Sequence, residues 1–585
     1  MSKYLNKYYP YFLIILVTFL FYSQNLKFDY SYLDDNLIVV TNYNQINSLS
    51  KIPAAFSTGY LLDNYYRPLI MISFIIDTAI AGRSPVMYHA TNILVHVLFT
   101  LLLFNLLEKF KIKRIIAVFC SLIFALHPLN LNAVSWIAGR NDLIAGLFSL
   151  LSILLFINYS ESGKWLHFIL HQFFFLLAMF SKEIGAVIPL VLLIYLFLFN
   201  KEYLKNKLKT IRLFITWGVL GALYLYARFA IAGIHPNGNV GFDILMKNFY
   251  ILFEYAAKLF YLQGIMPLSL KNYNLIIIGI VITLLLVVVI ISKKKYLDKK
   301  FVWGILFFFI FIIPSLLVRL QTKDGGFVYL DCRMYLPFVG LLIVLGTFLN
   351  GLKISEYKQI LSFGLVIIYI SVFSFIKNEP YKNGETFWTA VTKDHPNAPY
   401  NWIGLGFYYF DHQQYLKAAK YAEKAIELNP TIDPEFYQKA ALAYEREGDL
   451  NKADEFIEKA LSIEKDNSVN YVNLIKNNLR LGRYEKALAY KTDLEKIEIK
   501  DLEKKANLYS STAYYFSYSQ KYPQAIELMK KASAYQPQNS NYLNDIGAFY
   551  YNNNNSDSAK KYFSKALKIE PANKEYQKNL YLVNR

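Results

Sequence analysis

The stretch NLIIIGIVITLLLVVVII, residues 274–291, contains no charged side chain. A helix needs about 20 mainly apolar residues to cross the hydrocarbon core of a bilayer, and this stretch approaches that length. The rest of the chain has a similar character, since 55% of its 585 residues are hydrophobic and 17% are aromatic. This composition is typical of a protein with several membrane spans. The sequence therefore predicts an all-α fold built first of membrane helices.

Working outward from this stretch, we predict about eleven spans. Basic clusters at residues 109–114, 201–212 and 293–295 separate some of them, and the positive-inside rule places these clusters in the cytoplasm. The N-terminus is then cytoplasmic, and everything after residue 377 lies outside. The net charge of +19 follows from these loops, so it indicates topology and not a nucleic-acid partner. The spans are placed near residues 10–26, 88–107, 115–130, 141–158, 166–180, 184–200, 212–231, 274–291, 301–318, 335–350 and 358–376.

Two further apolar segments are not assigned as spans. Residues 243–268 contain Lys247, Glu254 and Lys258, so we predict an interfacial or re-entrant helix there. Residues 68–81 are too short to span and contain a carboxylate, so we predict a helix at the outer surface.

From residue 399 a period of about 34 residues indicates tetratricopeptide (TPR) repeats, which are helix–turn–helix units. We predict a membrane domain over 1–378, a linker over 379–398, five repeats over 399–571 and a capping helix over 572–585. A solenoid of such repeats offers a concave surface to a peptide or protein. The first unit shows the pattern most clearly, at Trp402, Leu405, Gly406, Tyr409, Ala418, Ala425 and Pro430.

Polar and ionisable residues collect in the loops that this topology places outside. Ionisable groups at the membrane are candidates for function. A carboxylate can take the proton of a hydroxyl, and Arg and Lys bind phosphate, so the set suits a reaction between a hydroxyl and a phosphate-bearing substrate. The candidates are Asp34, Asp35, Arg67, His89, His127, Arg140, Asp142, Lys182, Glu183, Asp331 and Arg333.

Structural roles are open for several of these residues. Arg140 and Lys182 could extend from helix ends to the interface, and an Asp could cap a helix. The adjacent aspartates with His127 could bind a divalent cation, but no spacing supports a metal site. We therefore predict no metal ligands and no firm cofactor.

The order of the motifs resembles the transmembrane and TPR O-mannosyltransferases and their bacterial relatives, which are GT-C glycosyltransferases. The resemblance implies a GT-C-like membrane domain, a polyprenyl-phosphate sugar donor and an acidic first-loop base. It also implies inverting transfer to a hydroxyl at the outer face. The motifs are YLDD at 32–35, YRPL at 66–69, YHATNILVH at 88–96, HP at 127–128, AV at 133–134, GRNDL at 139–143, SKEIG at 181–185 and YLP at 335–337.

This chain departs from the family pattern at two places. After His-Pro the family commonly has a second His and a Glu, where this chain has Asn130 and Asn132. The family also often has an acidic–Arg pair before Tyr-Leu-Pro, where Cys332 takes the Arg position and Arg333 is shifted by one. A second carboxylate and a metal ligand of the family are therefore missing.

We predict an integral protein of the plasma (inner) membrane whose repeats lie on the periplasmic or extracellular side. The sugar is mannose or another hexose, and the repeats bind the acceptor protein or a partner. Two alternatives are a membrane-anchored TPR scaffold without activity and a lipid-linked glycan ligase or polymerase. Asp35 is slightly favoured over Asp34 as the base, and the donor phosphate is assigned to Arg140, Lys182, Arg67 and Arg333. Other site candidates are His89, His127, Asp142, Glu183 and Asp331.

Overall fold

The computed structural model describes residues 2–59, 65–233, 241–292, 298–318 and 329–585. These residues form helices and contain no β-strand, so the predicted all-α class is confirmed. The chain divides into two compact units, Met1–Leu405 and Gly406–Arg585. The basic cluster at 293–295 lies outside the described residues.

Seven helices in the described ranges are long and apolar enough to span a membrane, and a bent pair at 114–134 could form an eighth span. Three of the predicted spans are shorter apolar helices, namely Trp165–Ser181, Glu183–Phe199 and Pro337–Gly351. All eleven predicted positions thus carry an apolar helix, but only seven reach full spanning length. The seven are Tyr8–Lys27, Pro85–Lys109, Ile137–Ser162, Lys207–Ile231, Tyr273–Ser292, Lys299–Leu316 and Glu356–Lys382.

The segment 243–268 forms two short helices, Phe242–Asn248 and Ile251–Lys258, followed by the 3-10 turn Leu262–Gly264. At 1.5 Å per residue, eight residues cover only about 12 Å, so neither helix crosses a bilayer. The predicted absence of a span here agrees with the structure.

The helix Pro68–Ala81 has the predicted extent. It is not a simple surface helix, because Asp77 is buried and forms an ion pair with Arg140 at 2.6 Å. The sequence suggested an interfacial position because a carboxylate is costly in an apolar setting. Its partner comes from a helix more than 60 residues later, which the local pattern does not reveal.

Residues 379–398, which we expected to be a linker, are instead folded. A 3-10 turn, Glu379–Lys382, precedes the helix Gly384–Asp394, which opens with a capping box formed by Asn383 and Thr386. This helix buries Phe387, Trp388 and Val391, which lie on one helical face. The apolar face makes the helix part of the first compact unit, which continues to Leu405.

The repeat region is built of helix pairs with buried alanines at the positions of close approach, such as Ala418 and Ala425. A final helix, Lys574–Val583, buries Tyr576. The pairs are Pro399–Asp411 with Tyr415–Leu428, Pro434–Glu447 with Leu450–Ile463, Ser468–Arg480 with Tyr484–Glu495, Leu502–Tyr518 with Tyr522–Tyr535, and Ser540–Asn552 with Ser556–Ile569.

Two glycines let the helices Lys299–Leu316 and Pro337–Gly351 touch through their backbones. A Cβ atom added to Gly304 would lie 2.7 Å from the Gly340 carbonyl oxygen, and one added to Gly340 would lie 2.4 Å from the Gly304 oxygen. Any side chain at either position must push the helices apart, because both contacts are with backbone.

We therefore predict that Gly304→Ala lowers the free energy of unfolding by about 1–3 kcal/mol, the usual cost of overpacking. The measurement is thermal unfolding of the purified protein in detergent. Gly364→Ala is the matched control, because nothing lies within 4 Å of its added Cβ and Ala favours a helix over Gly. Equal melting temperatures for the two variants would show that the glycine contact does not matter.

Candidate functional site

The two adjacent aspartates of the first loop have different surroundings. Asp35 is buried, and its carboxylate accepts hydrogen bonds from the Ser31 amide at 2.6 Å, the Ser31 hydroxyl at 3.0 Å, and the amides of Leu33 and Asn36 at 3.1 Å. The last bond caps the π-helical turn Asn36–Thr41. These hydrogen bonds give Asp35 a structural role in stabilising the first loop.

Asp34 is partly buried, and no donor in the described part of the chain bonds to its carboxylate. Burial and, to a smaller extent, the neighbouring Asp35 charge raise its pKa to about 6, while the charge of Arg67 opposes this shift. A carboxyl with this pKa is ionised at neutral pH and accepts a proton more readily than an ordinary aspartate. The geometry therefore favours Asp34 as the general base, whereas the sequence slightly favoured Asp35.

Glu183 holds two arginines together. Its two oxygens bond separately to Arg67 and to Arg228, each at 2.9 Å. Glu183 follows the helix Trp165–Ser181, whereas Arg228 lies near the end of the helix Lys207–Ala232. One carboxylate thus joins two guanidinium groups, and the charge of Arg67 acts on Asp34.

Arg228 is not among the predicted site residues, because it lies inside the predicted span 212–231. A lone Arg near the end of an apolar helix was the available signal, since a charge in such a helix commonly has a partner and a function. Its partner, Glu183, could not be identified from the local sequence.

Lys182 forms an ion pair with Asp142 at 2.6 Å, and the two side chains are 18% and 10% exposed. Arg333 is partly exposed and donates to the Ser315 carbonyl at 3.3 Å. Within the described ranges no carboxylate pairs with Arg333. The structure therefore brings Asp34, Arg67 and Glu183 together. Lys182, the chain neighbour of Glu183, pairs separately with Asp142.

Arg140 does not have the position expected of a phosphate ligand. It is fully buried, pairs with Asp77, and donates to the Asn92 side chain at 2.9 Å and to the Tyr88 carbonyl at 2.8 Å. Its guanidinium also lies over the Phe74 ring at 4.5 Å. These contacts fix the helix Pro68–Ala81, so the assignment of Arg140 to the donor phosphate is not supported by its geometry.

Both candidate histidines are buried in structural surroundings. His127 accepts a bond from the Leu129 amide at 3.2 Å and lies 3.3 Å from the Leu259 carbonyl. His89 contacts the Phe28 ring edge to face. The ring nitrogens of His127 are used in contacts with backbone groups, whereas those of His89 have no hydrogen-bond partner among the described residues.

Asp331 is buried in an ion pair with Lys258 at 2.8 Å, and Lys258 also donates to Ser269 at 2.6 Å. Burial raises the pKa of Asp331, and the Lys258 charge opposes that shift. Nearby, Tyr329 donates to Glu254. Two of the charges of segment 243–268, Glu254 and Lys258, therefore bond to residues that precede the helix Pro337–Gly351. Lys247 is exposed and lies 3.9 Å from Asp243.

The two asparagines that depart from the family pattern make backbone contacts. Asn132 donates to the Pro267 carbonyl at 3.1 Å and accepts from the Cys332 amide at 3.2 Å. Asn130 donates to the Phe124 carbonyl at 2.6 Å. In this chain the side chains of Asn130 and Asn132 therefore hydrogen-bond to the backbone of other segments. In the part of the chain that the structure describes, no group of three or more His, Cys, Asp or Glu is arranged to hold a metal ion.

Comparison with known proteins finds partial sequence similarity to named O-mannosyl-transferases. "Protein O-mannosyl-transferase tmtc2" of Xenopus laevis is 29% identical over 265 residues, which are 42% of this chain and 32% of that protein. "Protein O-mannosyl-transferase TMTC1" of Mus musculus is 34% identical over 157 residues, which are 24% of this chain and 16% of that protein. The chain resembles the TMTC protein O-mannosyl-transferases. It spans about a third or less of the length of these TMTC relatives.

The C-terminal part carries tetratricopeptide repeats. Models described as "Tetratricopeptide repeat" match residues 399–432, 434–467 and 518–581. Among solved structures, "Crystal structure of MamA protein" shares 20% identity with a TM-score of 0.26 and covers 30% of this chain and 92% of its own. This score is too low to support a functional comparison.

We predict that the two aspartates differ in a carboxyl-labelling experiment. Carbodiimide reacts with protonated carboxyls, so labelling of Asp34 should fall with a midpoint near pH 6, the pKa that burial gives it. Asp35 should stay unlabelled because it is 1% exposed. Arg67→Gln should move the Asp34 midpoint to higher pH, since it removes a stabilising positive charge. Peptide mass spectrometry measures both sites, and strong labelling of Asp35 would contradict these assignments.

We also predict that Arg140→Met destabilises the protein by about 3–5 kcal/mol, because it leaves Asp77 buried without its partner. The double variant Arg140→Met with Asp77→Leu should recover most of this loss, which thermal unfolding would measure. A stable single variant with weakened donor binding would instead restore Arg140 as a phosphate ligand.

Proposed function

We propose that the protein is an integral membrane glycosyltransferase of GT-C type. It transfers a hexose, such as mannose, from a polyprenyl-phosphate donor to a hydroxyl of an acceptor protein. The observation that carries this proposal is a proton acceptor, Asp34, beside two guanidinium groups, Arg67 and Arg228, held by Glu183. The names of the TMTC relatives support the class of reaction.

The proposed step follows from the chemistry of these groups. The acceptor oxygen attacks the anomeric carbon while Asp34 takes the hydroxyl proton. The bond from that carbon to the phosphate oxygen breaks, and polyprenyl phosphate leaves with both electrons. Attack opposite the leaving group inverts the anomeric configuration.

The cations have the complementary role in this proposal. Negative charge grows on the phosphate as it leaves, and preorganised donors in a site of low dielectric stabilise such charge. Arg67 and Arg228 can offer paired N–H donors, and Arg333 and Lys182 add further positive charge. Lys182 acts less strongly because Asp142 already neutralises it.

The proposed topology places this reaction at the outer face of the plasma membrane. The N-terminus is cytoplasmic, and the repeats lie on the periplasmic or extracellular side, where they bind the acceptor or a partner. A lipid donor then reaches the site from the bilayer, while the acceptor comes from the aqueous side.

The central test is transfer of radiolabelled mannose from polyprenyl-phosphate-mannose to proteins in membranes that contain the full chain, with a parallel glucose donor. Asp34→Asn should lower kcat about 100-fold or more, the range of general-base catalysis, without a change in melting temperature. Unchanged transfer in this variant would exclude Asp34 as the base. No transfer from either donor would favour the scaffold, and transfer of a preassembled glycan would favour a ligase.

The rate should also depend on the protonation of Asp34. Its raised pKa means that the active, ionised form is lost as pH falls through about 6, so kcat should rise with pH and level off above about pH 7. A rate that is flat from pH 5 to 8 in wild type, with chemistry limiting, would argue against this base.

Arg228→Gln should lower kcat/KM for the donor about 10- to 100-fold, since hydrogen bonds to charged groups contribute about 1.5–3 kcal/mol. Arg212→Gln is the matched control, because Arg212 is exposed near the opposite end of the same helix and lies over the Trp165 ring. Equal effects of the two variants would remove Arg228 from the proposed donor site.

A further inference from the structure

The segment expected to be a linker makes a direct bond to the loop of the two aspartates. The indole N–H of Trp388, on the helix Gly384–Asp394, donates to the Tyr32 carbonyl at 3.2 Å. A second contact lies beside it, where the Asp29 amide donates to the Lys382 carbonyl at 2.8 Å. The segment thus packs against the loop two residues before Asp34.

Tyr32 has a backbone conformation that side chains rarely adopt. Its φ is +60°, a left-handed geometry that costs an ordinary residue roughly 1–2 kcal/mol. The turn is held on both sides, because Asp35 accepts from the amides of Ser31 and Leu33. Trp388 supplies the hydrogen bond to the carbonyl of Tyr32 itself. Both polar groups of the Tyr32–Leu33 peptide are thus bonded, the carbonyl to Trp388 and the amide to Asp35.

Trp388 is itself held rigidly. Its side chain is buried, and a Cβ on Gly404 would lie 2.3 Å from its ring, so only glycine leaves room for the indole there. Tyr400 contacts the same ring edge to face at 6.3 Å. The charge of Asp34 adds to burial in raising the pKa of Tyr400, which places Tyr400 near the carboxylate as well.

We propose that Trp388 is a positioning residue that sets the orientation of Asp34 through the carbonyl of Tyr32. Tyr400 and Gly404, on the first repeat helix, seat the indole for this purpose. The proposal rests on the proposed function, in which Asp34 is the base. It gives the helix Gly384–Asp394 a role in supporting the proposed site, beyond connecting the membrane unit to the repeats.

The test compares Trp388→Phe with the double variant Trp388→Phe and Tyr32→Gly in the full chain. Phenylalanine keeps an aromatic ring and removes the N–H donor. The single variant should lower kcat about tenfold with little change in KM for polyprenyl-phosphate-mannose, because small misplacement of a catalytic group reduces the rate steeply. Glycine adopts positive φ without strain, so the double variant should regain most of the rate.

Trp402→Phe is the matched control, because the Trp402 indole also donates to a carbonyl, that of Pro396 at 2.8 Å, away from the loop. It should leave the rate unchanged. Failure of Tyr32→Gly to rescue Trp388→Phe would indicate lost packing and would overturn the proposal, as would a wild-type rate in Trp388→Phe.

Carbodiimide labelling of Asp34 gives a second readout that needs no sugar donor. Without the Trp388 bond the loop should open to water, so the labelling midpoint should fall from about pH 6 towards the usual carboxyl range, and glycine at position 32 should restore it. An unchanged midpoint in Trp388→Phe would contradict the positioning role. A shifted midpoint in a protein without transferase activity would refute the proposed function while leaving the positioning intact.

Discussion

The bridge from Glu183 to Arg67 and Arg228 is the interaction on which the candidate site depends. One carboxylate between two guanidinium groups solves two problems at once. It compensates charges that would be costly beside a bilayer, and it holds the two guanidinium groups together. The bridge joins the start of the helix Pro68–Ala81, which Arg67 precedes, to the membrane helix Lys207–Ala232, near whose end Arg228 lies.

Charges in this protein therefore separate into two kinds. Arg140 with Asp77, and Lys258 with Asp331, are buried pairs whose groups bond to one another and to nearby backbone or hydroxyl groups. Such pairs fix the relative positions of helices, because removing either partner leaves a buried charge uncompensated. Asp34 differs because its carboxylate lacks a donor among the described residues. This contrast between saturated pairs and Asp34 supports the proposed role of Asp34 as the base.

The difference between Asp34 and Asp35 illustrates how neighbours with identical chemistry acquire different roles. Asp35 accepts four hydrogen bonds and organises the turn. The raised pKa of Asp34 results from burial beside that second negative charge. In the proposed mechanism, Asp35 and the indole of Trp388 together hold the turn that carries Asp34.

The sequence by itself determined the helical class, the positions of the apolar helices and the period of the repeats, because these depend on local hydrophobicity and spacing. It also identified Asp34, Arg67 and Glu183 as a polar set. Only the tertiary structure separated Asp34 from Asp35, moved Arg140 into a buried pair and added Arg228. Those assignments depend on which distant side chains meet, and neither hydropathy nor motif order encodes the partner of a charge.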